Sequence, residues 1–175
     1  MKQIIFVIIF ALLTKTASFG QDIDTTCFIG MSINCNSNGV VLSKSLILLE
    51  RIQNPSTKQI IINTILIDTT GKVTKNSSMV LLVNENNEFT ISDTKKTTSG
   101  NGKLFGPEWN WTYLSGDYKS LVGVTIKDQD FFSDPSIFTS RKEIILPNGS
   151  VVLTMDITAT KISRTEYEIL TKAIK

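Results

Sequence analysis

The sequence predicts an all-β protein: an antiparallel up-and-down barrel of about eight strands with one C-terminal α-helix. Three observations carry that expectation. Short segments rich in Ile, Leu, Val and Thr recur along the chain, each ended by a cluster of Asn, Asp, Gly, Ser or Pro. Val151, Leu153, Met155, Ile157 and Ala159 alternate with Val152, Thr154, Asp156 and Thr158, as a strand with one wet face requires. Ser163-Arg164-Thr165-Glu166 then spells a capping box, in which the Ser and Glu side chains each satisfy a free backbone N–H. A two-sheet β-sandwich is the alternative arrangement of the same strands.

The segments follow in order. Val40 to Ile52 is apolar until Asn54-Pro55-Ser56 breaks it, and Ile60 to Ile67 ends at Asp68-Thr69-Thr70-Gly71. Val73 to Val83 runs into the turn Asn84-Glu85-Asn86-Asn87, and Phe89 to Ile91 forms a short strand. Ser99-Gly100-Asn101-Gly102 reads as a flexible turn. Glu108 to Leu114, Leu121 to Asp130, Ile137 to Leu146 and Val151 to Lys161 complete the set. Pro147-Asn148-Gly149 joins the last two, because Asn-Gly accepts the positive φ of a tight hairpin. The helix is expected over about 164–174, with Tyr167, Leu170 and Ile174 at helical spacing. Leu46 to Leu49, Ile60 to Ile67 and Met79 to Val83 are apolar on both faces. Their second face needs a cover: the helix, or a second subunit in a homodimer built through these strands.

The first twenty residues have the order of a secretory signal peptide. A basic start, Met1-Lys2-Gln3, precedes the apolar run Ile4 to Leu13, and Ser18 and Gly20 place small residues before a cut ahead of Gln21. The run breaks at Thr14-Lys15, well short of the roughly 20 residues that span a bilayer. The expected product is secreted or periplasmic: residues 21–39 as an N-terminal segment, then residues 40–175 as one barrel domain. Lys2 and Lys15 leave with the signal, so the 18 basic residues fall to match the 16 acidic ones. A neutral mature chain has no long-range attraction for nucleic acid or anionic lipid. The two cysteines, Cys27 and Cys35, are expected to pair as a disulfide in an oxidising compartment, pinning the N-terminal segment.

The chain has no histidine, which removes the commonest general base, the commonest zinc ligand and the usual partner of a serine or cysteine nucleophile. No Gly-x-Ser-x-Gly elbow and no Gly-rich phosphate loop occurs. Carboxylate chemistry stays open through the isolated acids Glu108, Asp117 and Glu143. Asp128 and Asp130 share a strand face, as a hard-cation site or as a solvated strand end. Neither a cofactor nor a metal is expected. Trp109, Trp111 and Tyr113 put three rings on one strand face, fit for a packed aromatic core, for the wall of a pocket or for an exposed binding face.

Gly106-Pro107-Glu108-Trp109-Asn110-Trp111-Thr112, Ser140-Arg141-Lys142-Glu143, Leu146-Pro147-Asn148-Gly149 and Ile162-Ser163-Arg164-Thr165-Glu166-Tyr167 together carry a resemblance. This stretch, residues 105–175, resembles the end of uncharacterised secreted proteins with lipocalin-like, calycin-type barrels. The resemblance implies a barrel with an internal pocket and no assigned activity. The function expected from sequence is therefore non-enzymatic: a secreted barrel that binds a small apolar ligand, with Trp109, Trp111 and Tyr113 as its wall. A protein- or glycan-interaction module with a sandwich fold is second, and a carboxylate-based hydrolase third.

Overall fold

The computed structural model describes residues 23–94, 98–105, 108–115, 121–134 and 136–174. The expected signal segment and Asp117 lie outside the described residues. Ten strands run β1 (Asp24–Asn36), β2 (Val41–Asn54), β3 (Gln59–Ile67), β4 (Val73–Val83), β5 (Glu88–Asp93), β6 (Ser99–Phe105), β7 (Glu108–Ser115), β8 (Thr125–Asp134), β9 (Ile137–Ile145) and β10 (Val151–Ile162). One helix, α1 (Arg164–Ala173), follows. Each strand pairs antiparallel with its sequence neighbours, and β1 pairs with β10 to close the barrel. The sheet thus has no free edge.

The sequence points to about eight strands; the two extra ones are β1 and β6. In β1 the usual polarity is reversed. Cys27, Ile29, Met31 and Ile33 alternate with Phe28, Gly30, Ser32 and Asn34, and the second set, small or polar apart from Phe28, points inward. Gly30 is needed there: a Cβ would overlap the Thr158 carbonyl and Ala159 of β10. In β6 the glycines are not a turn. A Cβ on Gly100 would sit 2.6 Å from Trp111 Cε3, and one on Gly102 would meet the Asn110 backbone, Trp111 and Phe89. The glycines let the wall close onto an indole.

The Cys27–Cys35 disulfide is not formed; both thiols are free. Both sit on β1, eight positions apart on one extended strand, which separates their Cα atoms by about 26 Å. A bridge needs Cα atoms about 4.4–6.8 Å apart, so the barrel and this disulfide exclude each other. The segment that the bridge was to pin is held instead by the β1–β2 and β1–β10 ladders.

Helix α1 starts as its sequence dictates. Ser163 Oγ accepts from the Glu166 N–H at 3.2 Å, and the Ser163 N–H donates to Glu166 Oε2 at 2.8 Å. Tyr167 is buried against Cys27, Leu48 and Ile67 on the outer wall, with Ile29, Ile65, Leu170 and Ile174 around it. Of the doubly apolar segments, this helix covers Leu48 of β2 and Ile65 and Ile67 of β3, while Leu46 and Leu82 stay exposed. The Leu146–Ser150 hairpin closes with Gly149 at φ 84°, and Ser150 N–H donates to Asn148 Oδ1 at 3.0 Å.

Candidate functional site in the barrel interior

Two apolar clusters fill the barrel. One gathers Phe28, Ile47, Leu66, Phe138, Ile157 and Ala159; the other gathers Leu81, Phe89, Ile91, Trp111, Tyr113 and Ile126. An internal cavity of about 140 Å³ lies between them. Its apolar wall includes Phe28, Leu49, Ile62, Phe138, Met155 and Ile157. Its polar wall is Arg51 from β2, Thr64 from β3, Lys75 from β4, Asp128 and Asp130 from β8, and Ser140 and Lys142 from β9.

The strand period puts them there. Arg51 follows Ile47 and Leu49 at inward positions of β2, and Lys142 follows Phe138 and Ser140 on β9. Lys75 lies opposite the inward Leu66 and in phase with Met79 and Leu81. Arg51 and Lys142 are partly buried on the cavity wall, whereas Lys75 borders the cavity but is exposed.

Asp128 is the best-satisfied member. It is 1% exposed; Lys142 Nζ lies 2.8 Å from its Oδ2, and Ser140 Oγ donates to its Oδ1 at 2.8 Å. Burial alone would lower the Lys142 pKa, but the Asp128 carboxylate outweighs it and the net shift is upward. Asp130 is pushed up to about 7, first by burial and then by the neighbouring Asp128 charge, while Arg51 pulls it back. Burial lowers Arg51, and Asp130 and Asp24 partly restore it. With its amide oxygen turned toward the guanidinium, Gln53 accepts from Arg51 at 2.9 and 3.2 Å. Burial lowers Lys75 too, and the like charge of Lys142 adds to that shift.

The predicted residues divide. Trp109, Trp111 and Tyr113 do share the inner face, but only Trp109 of the three borders this cavity. Trp111 and Tyr113 pack in the second cluster with ring centroids 6.5 Å apart, and Trp109 meets Phe89 edge-on at 6.1 Å. Trp109 Nε1 is buried without an acceptor. Asp128 and Asp130 are not a solvated strand end; they face inward and meet cations of the same wall. Among the described residues no group of three His, Cys, Asp or Glu side chains could hold a metal. Glu108 faces outward, held by Lys127 at 3.3 Å and by Gln129 and Asn110, and Glu143 pairs with Arg141 at 3.4 Å. Neither acid joins the cavity. Arg51, Lys75 and Lys142 went unread in sequence; the available signal was a charged residue in phase with inward apolar positions.

A second depression crosses the outer wall over β4 to β8. It is open, about 660 Å³, and presents Leu82, Thr90, Asn101, Lys103, Asn110 and Thr112.

No protein family matches this chain, and no curated protein does. Among solved structures it is similar to transferrin-binding protein B, a vaccine antigen from Haemophilus parasuis, at 13% identity and a TM-score of 0.33. That match covers 83% of this chain and 27% of the other, so the chain spans about a quarter of that protein's length.

Proposed function

We propose that this protein is a non-enzymatic binder that holds a small molecule inside its barrel. The supporting observation is the cavity between the two apolar clusters, walled by Leu49, Ile62, Met155 and Ile157 and bordered by Trp109. An apolar cavity of about 150 Å³ is large enough to take benzene, so about 140 Å³ sets the scale of the ligand or ligand end that fits here. The ligand is then compact, smaller than the drug-sized molecules held by pockets of roughly 300–1,000 Å³. Its mostly apolar lining also carries the charged side chains of Arg51, Lys75, Asp128, Asp130 and Lys142, so the purely apolar ligand expected from sequence gives way to an amphipathic one. Export through residues 1–20 belongs to the same proposal and puts the binder outside the cytoplasm.

Benzene tests the reading. Saturable shifts of the Met155, Ile62 and Ile157 methyl resonances are expected, with quenching of tryptophan emission. Leu49→Phe fills the space and is expected to abolish both. Resonances that do not move at saturating benzene would overturn the proposal.

The interaction-module reading draws on a different observation, the polar depression over β4 to β8. A glycan or protein held there would move resonances of Thr90, Asn101 and Thr112 and leave the Met155 methyl in place.

A further inference from the structure

The charges that border the cavity do not balance. Three cations, Arg51, Lys75 and Lys142, face two carboxylates, Asp128 and Asp130. Asp128 is fully engaged by Lys142 and Ser140. Arg51 is engaged by Gln53 and lies in the field of Asp130. Lys75 has no carboxylate partner among the described residues, and the charge that acts on it is the like charge of Lys142. Trp109 borders the same cavity, with its Nε1–H buried behind the accessible surface and without an acceptor. The wall thus carries a surplus positive charge, and Lys75 is its member without a carboxylate. Two cations that line one cavity repel each other, and Lys75 is left without a counter-charge. The chemistry that relieves both is an anionic group rich in acceptors.

We infer that the cavity is an oxyanion site in which Lys75, which lines it together with Lys142 and Trp109, receives the carboxylate or phosphate group of a compact ligand. The inference rests on the ligand-binding reading above and names its ligand class. The apolar wall opposite, with Phe28, Leu49, Phe138 and Met155, takes the remainder of the molecule. The volume limits that remainder to a few carbon atoms. Asp128 is held by its own partners and repels a second anion from the β8 side, which leaves Lys75 as the free end of the site.

Isobutyrate, its uncharged analogue isobutyramide, and inorganic phosphate are titrated by calorimetry into the full protein at pH 6.5. Isobutyrate is expected to bind at least 10-fold more tightly than isobutyramide. Lys75→Gln is expected to remove at least that 10-fold, while benzene and isobutyramide affinities stay within 2-fold. Lys75→Met serves as the second variant, and an unchanged melting temperature shows that each is folded. Phosphate binding that Lys75→Gln weakens supports the same site with an inorganic occupant. Equal affinity for isobutyrate and isobutyramide, or isobutyrate binding untouched by both Lys75 variants, overturns the inference while benzene binding keeps the cavity reading. If benzene fails as well, both fall.

Discussion

Asp130 and Asp128 lie two positions apart on one strand, yet the wall treats them differently. Asp128 has Lys142 and Ser140 within 2.8 Å, whereas Asp130 has burial and a like charge against it. A carboxyl whose folded pKa is raised keeps its proton in the native state after the unfolded chain has lost it. Between about pH 4 and the folded value of about 7, the native state therefore binds more protons, and stability falls as pH rises. The melting temperature is expected to fall from pH 5 to pH 7.5, and Asp130→Asn is expected to flatten that slope. A wild-type slope that survives the substitution unchanged would show that Asp130 is not its source. Glu108, Asp68 and Glu166 have lowered values, so their contributions are lost on acidification, below about pH 4.5, outside this window. The shared face of Asp128 and Asp130 was readable from spacing. Their burial was not, because it depends on Arg51, Ser140 and Lys142 arriving from two other strands.

At the scale of the element, local signals read well where the chain stabilises itself and poorly where a neighbour decides. The helix, its cap and the Asn148-Gly149 hairpin are written in contiguous residues, and each formed where the sequence put it. Strand β1 was hidden because its apolar side faces outward under α1, and its inner side is small or polar apart from Phe28. Strand β6 was hidden because its glycines answer to Trp111, a residue of the next strand. The same dependence makes α1 testable. Ser163→Ala removes one side of the capping box and costs the helix about 1 kcal/mol, roughly a 5-fold rise in its opening. Cys27 lies beneath Tyr167, and burial, followed by the charge of Glu50, raises its thiol pKa. Alkylation of Cys27 is expected to accelerate by about that factor, with Cys35 as the internal reference. Equal Cys27 rates in the two proteins would mean that the helix does not guard the thiol.

At the scale of the whole molecule, the barrel depends on one long-range ladder. Cys27 to Asn36 lie opposite Ile162 to Leu153, and every other strand pair joins sequence neighbours. Gly30→Ala would push a methyl group into the Thr158 carbonyl and Ala159 on that ladder, and is expected to cost about 3 kcal/mol. Gly39→Ala meets nothing within 4 Å and strains only a φ of 76°, and is expected to cost about 1 kcal/mol. Urea unfolding of the two variants tests the difference; equal midpoints would remove the special role of the β1–β10 contact.

That ladder also orders events in time. During synthesis β1 emerges first and its partner β10 nearly last, so the growing chain carries two unsatisfied strand borders until Val151–Ile162 has left the ribosome. The cavity and its charges take shape only at that moment, and the capped helix that follows immediately covers the outside of β1. A nascent chain halted before β10 would expose hydrogen-bonding borders to other chains, which makes completion of that strand the step that removes an invitation to aggregate.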